Sequence, residues 1–197
     1  MQLNAEDGGS RKFILVQLPE KCAEKSEAYK AGYKNICEIG KERIRRAGEK
    51  KKSESPLTTE NLDTGFRVFK VDSTNFKNFK IKPSELTQEM LKDMEENIKP
   101  DRNALDLLFG SLISWGVVPD RKIAEEKFEG ATIYTYDEGS LIACFDKNIS
   151  LEVVKFMAQK NPLRAVFRDA CFSRDDQKIN AEEIFKHYSP NTKFKVI

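Results

Sequence analysis

The chain has 197 residues, 34% of them charged, and a formal net charge of only +2. That length suits one large domain or two small ones with a real hydrophobic core, and thirteen phenylalanines argue against disorder. No apolar run approaches the roughly eighteen residues of a membrane-spanning helix, and the opening Met1-Gln2-Leu3-Asn4-Ala5 lacks the ordered regions of a signal peptide, so the expected compartment is cytoplasmic.

Met1 to Ala5 reads as the last turn of an element, a helix without a cap, and Glu6-Asp7-Gly8-Gly9 as a turn. Phe13 to Val16 is a short continuous apolar run, preceded by Gly8-Gly9-Ser10 and closed by Pro19. That pattern predicts a strand buried on both faces. Glu20 then stands just past the strand's carboxyl end. In an open parallel sheet an acid there accepts hydrogen bonds from a nucleotide ribose, and a Glu is equally at home at a helix start. Both roles fit Glu20 at this level.

Tyr29, Tyr33, Ile36, Gly40, Ile44 and Ala47 follow helical spacing. Gly32 and Gly40 within it mark close packing or a break into two shorter helices. Lys41 to Lys52 holds seven cations and two acids, a net +5 that leaves the rest of the chain at −3. Such a run is either a solvated helix end, where cations favour the last carbonyls, or a phosphate-facing patch built on Arg45, Arg46 and Lys50. Ser53 to Thr64 is polar and loop-like, and Gly65 to Val71 alternates as a strand, followed by Asp72. The first third therefore predicts a β-α-β crossover of a parallel sheet.

Composition changes between Phe76 and Pro83, where a domain boundary is expected near residue 80. Thr87 is expected to cap a helix stapled by Leu86 and Leu91, with Met90, Met94 and Ile98 on its face and Lys99-Pro100 as its stop. Leu105, Leu108, Leu112 and Trp115 mark the buried face of another helix, with Gly116 as its left-handed cap. Ala131 to Tyr136 and Ser140 to Phe145 predict a hairpin turning at Asp137-Glu138-Gly139. Ser150 caps a helix ending before Pro162, and Leu163 to Phe167 is a further strand. Asn180 with Glu183 forms a capping box for a short helix, and Lys193 to Ile197 a final strand.

Cys22, Cys37, Cys144 and Cys171 show no C-x-x-C spacing and His187 is the lone histidine, so no metal site is expected and the thiols read as free and mostly buried. No phosphate loop, dinucleotide fingerprint or nucleophile elbow occurs, and no catalytic residue is assigned. His187 reads as a polar surface residue.

Several of these stretches share a family likeness. Leu3 to Glu20 closely resembles part of the modification subunit of type III restriction–modification systems, which are adenine-specific DNA methyltransferases. So do Ile39 to Arg46, Thr64 to Lys70, Leu141 to Asp146, Ala165 to Asp169 and Ile184 to Pro190. The resemblance implies an α/β chain. Residues 1–80 would form the edge of a Rossmann-like methyltransferase sheet, and 81–197 a smaller α/β C-terminal domain. It also implies that Glu20 meets the ribose of S-adenosylmethionine and that Asp72 lies near its adenine. The family's partners would be DNA and a restriction (helicase–nuclease) subunit, with the whole subunit a homodimer.

The family's D-P-P-Y and F-x-G-x-G loops do not occur in this sequence, so the resemblance is to a C-terminal portion, expected to be inactive on its own. In the whole enzyme the target adenine is flipped out and its amino nitrogen takes the methyl group. The alternative is a non-enzymatic module for dimerisation or for docking the restriction subunit.

Overall fold

The structure, a computed structural model, describes residues 1–54, 59–78, 87 and 97–197. These divide into two units, Met1–Phe69 and Lys70–Ile197.

The first unit is helical and irregular. Helix α1 (Gln2–Asp7) ends at Gly8, whose φ of 67° is left-handed. Helix α2 (Glu27–Lys30) is capped by Ser26, whose hydroxyl accepts the Tyr29 N–H. The long helix expected from Tyr29 to Ala47 is broken at Gly32, which adopts φ 95°. Helix α3 (Ile36–Glu54) starts afresh beyond it, with Asn35 Oδ1 accepting the Glu38 N–H at 3.1 Å. The chain closes on itself through a bridge between Lys21 and Asn35 and the Ile36 N–H to Glu20 carbonyl bond of 3.0 Å. Gly48 is buried against Thr64, where a Cβ would fall 2.9 Å from that residue's own Cβ.

Two expected strands are corrected here. Phe13 to Val16 joins no ladder among the described residues, and Ile14 and Val16 are 89% and 94% exposed. Gly65 to Val71 is likewise no strand, with Val68 and Val71 at the surface. A strand reading depends on a neighbour taking its N–H and C=O groups, and the described part of this unit supplies none. The β-α-β crossover is therefore not formed among these residues.

The α/β fold resides in the second unit. Helix α4 (Ala104–Ser114) opens with a capping box in which Asn103 and Asp106 exchange side-chain-to-backbone bonds, and Gly116 follows it at φ 67°. The sheet has strand order β1-β2-β3-β4-β5: β1 (Ile123–Phe128), β2 (Ala131–Tyr136), β3 (Leu141–Cys144), β4 (Arg164–Phe167) and β5 (Lys193–Val196). The pairs β1/β2 and β2/β3 are antiparallel, whereas β3/β4 and β4/β5 are parallel. The parallel pairs are bridged by helices α5 (Leu151–Gln159) and α6 (Asp175–Tyr188).

Alternation along the strands builds one core on each face. Ile133, Ile142, Cys144, Ala165 and Phe167 pack with α5 and α6. Tyr136, Leu141, Ala143 and Val166 pack with Leu107, Leu108 and Leu112 of α4. The result is three layers, α4 on one face and α5 with α6 on the other.

The hairpin at Asp137–Gly139, the Ser150 cap, β4 and β5 form as expected. Strand β1 was not foreseen. It turns into β2 through Glu129-Gly130, both with positive φ (47° and 79°), the signature of a type I′ loop. Asn180 does not begin a helix, because α6 starts at Asp175 and Asn180 is interior and exposed. In α4 the buried side is set by Leu107, Leu108, Ser111 and Leu112, and Leu105 faces solvent. Of the helix expected around Thr87, residues 86, 90, 91 and 94 lie outside the described residues, and Ile98 is buried in a bridge with Phe76. All four cysteines are free, Cys144 and Cys171 fully buried. The hydrogen bond with Cys144, and then burial, push the Cys171 thiol well above its usual range. His187 is exposed, with Tyr188 edge-on to it.

Candidate functional site

In the first unit, Glu20 is exposed beside the Lys21–Asn35 bridge, its backbone N–H donating to the Leu18 carbonyl at 2.9 Å. The cations of α3 are held largely within their own helix. Arg46 Nε meets Glu42 Oε1 at 2.8 Å, Arg45 lies 3.8 Å from the same carboxylate and Lys50 lies 3.6 Å from Glu54. Lys41 similarly pairs with Glu38 at 2.6 Å. Arg46 also donates to the Tyr33 hydroxyl, and hydrogen bonding to Glu42 raises its pKa. Arg45 lies over the Phe66 ring, 5.6 Å from its centre.

The second unit brings cations together from distant parts of the chain. A short ribbon forms where the Lys77 N–H donates to the Asn97 carbonyl (2.7 Å) and the Lys99 N–H to Asn75 (3.0 Å). Asn75 Nδ2 anchors it to α4 through the Asp106 carbonyl at 2.8 Å. Gly110 leaves room for this contact, since a Cβ there would fall 2.7 Å from Asn75 Nδ2.

Arg102, whose side chain is only 9% exposed, donates through Nη2 to Asp72 Oδ2 (3.1 Å) and to Ser73 Oγ (3.2 Å), and through Nη1 to Asp101 (2.7 Å). Lys99 Nζ donates to Ser73 Oγ at 2.7 Å. The Ser73 N–H bonds to Asp72 Oδ1 (2.6 Å), and this bond, with the nearby Arg102 charge, holds the Asp72 carboxyl below its usual range. Both Asp72 oxygens are thus engaged. Glu20 and Asp72 belong to different units.

Lys147 and Arg168 lie just beyond the carboxyl ends of β3 and β4, adjacent parallel strands. With Lys77, Ile98, Lys99, Pro100 and Arg102 they line a cleft of about 280 Å³. Open α/β sheets place ligands at this end of the strands. Five of the seven lining residues are cationic, and among the described residues the lining holds no carboxylate and no aromatic ring. The acids following the same strands are engaged elsewhere. Asp146 accepts the Thr132 N–H at 2.5 Å, and Asp169 pairs with Lys178 at 2.6 Å. Of the sequence candidates, Asp72 belongs to this unit and touches the constellation through Arg102. Lys77, Lys99, Lys147 and Arg168 gave no joint signal, because they come from stretches of the chain far apart in sequence.

Among the described residues no cluster of His, Cys, Asp and Glu could hold a metal ion, and no helix is long and apolar enough to cross a membrane. No family profile matches the chain. Two relatives do. The Mod subunit of the type III restriction-modification enzyme StyLTI from Salmonella typhimurium is 43% identical over 70 residues, 36% of this chain and 10% of that protein. The Mod subunit of the type III restriction-modification enzyme EcoP15I from Escherichia coli is 39% identical over 69 residues, 35% of this chain and 9% of that protein. The matched segment thus spans about a tenth of either relative. Over that segment the chain is similar to the Mod subunits of type III restriction–modification enzymes.

Proposed function

We propose that the chain works as part of a type III modification subunit, an enzyme that transfers a methyl group from S-adenosylmethionine to the amino group of a target adenine in DNA. The observation that carries this reading is the 43% identity over 70 residues to the StyLTI Mod subunit. On it, residues 1–80 belong to the catalytic domain and 81–197 to a family-specific α/β domain. The working assembly is a cytoplasmic homodimer that pairs with a restriction subunit.

S-adenosylmethionine would supply the electrophilic methyl group. Glu20 is the residue of this chain best suited to hold its ribose, because its exposed carboxylate can accept hydroxyl protons. Asp72 lies near the adenine on this reading, as a secondary contact whose oxygens are shared with Ser73 and Arg102. Arg45, Arg46 and Lys50 would contact DNA phosphates.

The 197 residues alone are expected to transfer no methyl group, since the sequence contains neither D-P-P-Y nor F-x-G-x-G. Positioning of the two reactants then has nothing to act through. The test replaces the matched segment of the StyLTI subunit with that of this chain and measures incorporation of labelled methyl into duplex DNA. A folded chimera that methylates supports the reading, and a folded but silent one counts against it. Within an active chimera spanning it, Glu20→Ala should weaken cofactor binding by about one to two powers of ten, from a charged hydrogen bond worth roughly 1.5–3 kcal/mol.

A further inference from the structure

We propose that the cleft at the carboxyl ends of β3 and β4 docks a phosphate of the duplex DNA backbone, positioning the nucleic acid without reading its bases. That the polyanion is DNA rests on the modification-subunit reading; that the ligand is an anion follows from the cleft itself. Like charges gathered on a folded surface repel one another and are relieved by a bound counter-charge. Here Lys77, Lys99, Arg102, Lys147 and Arg168 converge on about 280 Å³.

Two acids already balance Arg102, namely Asp72 and Asp101, so Arg102 serves as the buried post of the site. Lys99 gives one of its three protons to Ser73 Oγ and keeps two for a ligand. The neighbouring carboxylates of Asp146 and Asp169 are held by Thr132 and Lys178.

The lining also says what the ligand is not. A nucleoside needs a flat apolar or aromatic wall for its base and an acceptor for its ribose hydroxyls. Among the described residues the cleft offers only Ile98 and Pro100 as apolar surface, and no carboxylate. That composition suits a phosphate contact, which sets register on the duplex and carries no sequence information.

The experiment measures affinity of the full chain for a short fluorescent duplex across a salt series. Each phosphate contact contributes about 0.9 to the slope of log affinity against log salt, so Lys77→Ala with Arg168→Ala, which together loosen the hold on that one phosphate, should flatten it by roughly 1. Lys77→Arg with Arg168→Lys should keep the slope, which separates lost charge from lost folding. Lys186→Ala, on an α6 lysine paired with Glu182 and Glu183, should leave it unchanged. An unaltered slope in the folded double alanine variant overturns the proposal. So does failure of the folded chain to bind duplex at low salt, or displacement of the duplex by stoichiometric mononucleotide. The methylation chimera reports separately. A silent chimera with a flattened slope removes the modification-subunit reading and keeps the polyanion site, whereas an active chimera with an unaltered slope does the reverse.

Discussion

The two units treat the same kind of apolar residue in opposite ways. In residues 70–197, Ile142, Val166 and Phe167 lie in strands with neighbours on both sides and helices on both faces, and none is exposed. In residues 1–69, Ile14 and Val16 form an equally apolar run that is almost wholly exposed. The difference teaches that an apolar run supplies only a preference. It becomes a buried strand when other segments satisfy its backbone groups and cover its side chains.

The sharpest way to break this comparison is a matched pair of truncations. Phe167 sits among Phe172, Phe185 and Phe194, with ring centres 5.4–5.9 Å away. Phe167→Ala should cost about 3–5 kcal/mol, whereas Val16→Ala should stay within about 0.5 kcal/mol, as surface substitutions do. Urea unfolding of both variants measures this. Equal losses would mean that Val16 is covered in solution, and the contrast between the units would fail.

Tyr136 sharpens the picture of the second unit. It is fully buried, donates its hydroxyl proton to the Val118 carbonyl and accepts the Arg121 N–H at 2.9 Å. Tyr136→Phe keeps the ring and should cost about 1–3 kcal/mol, because both backbone groups lose their partner. Ser150 caps α5 through the Val153 N–H at 3.3 Å, and Ser150→Ala should cost about 0.5–2 kcal/mol, read as a lowered urea midpoint at constant m.

The smallest effect concerns Asp72. Its carboxyl is held below the usual range first by the Ser73 N–H and then by Arg102. A carboxyl depressed in the folded state contributes stability above its unfolded pKa, near 3.9, and loses it as pH falls through the depressed value. Melting temperature against pH should therefore show the native chain converging with Asp72→Asn below about pH 4. A constant offset at all pH values would remove the charge from the account.

Much of the local structure was determined by the sequence itself. Ser150, the Asp137-Glu138-Gly139 turn and the left-handed Gly116 act through neighbouring backbone groups, so their effects are legible within a few residues. Gly32 marked the division of the first long helix for the same reason. Tertiary structure decided what depends on distant partners. Phe13 to Val16 and Gly65 to Val71 carry strand patterns but find no ladder among the described residues. Strand β1, with its two adjacent glutamates, gains its ladder by pairing with β2. The cationic cleft was equally invisible, because Lys77, Arg102, Lys147 and Arg168 are far apart along the chain. They meet only because a ribbon anchored by Asn75 and the ends of two parallel strands converge, and charge accumulates by proximity in space rather than in sequence.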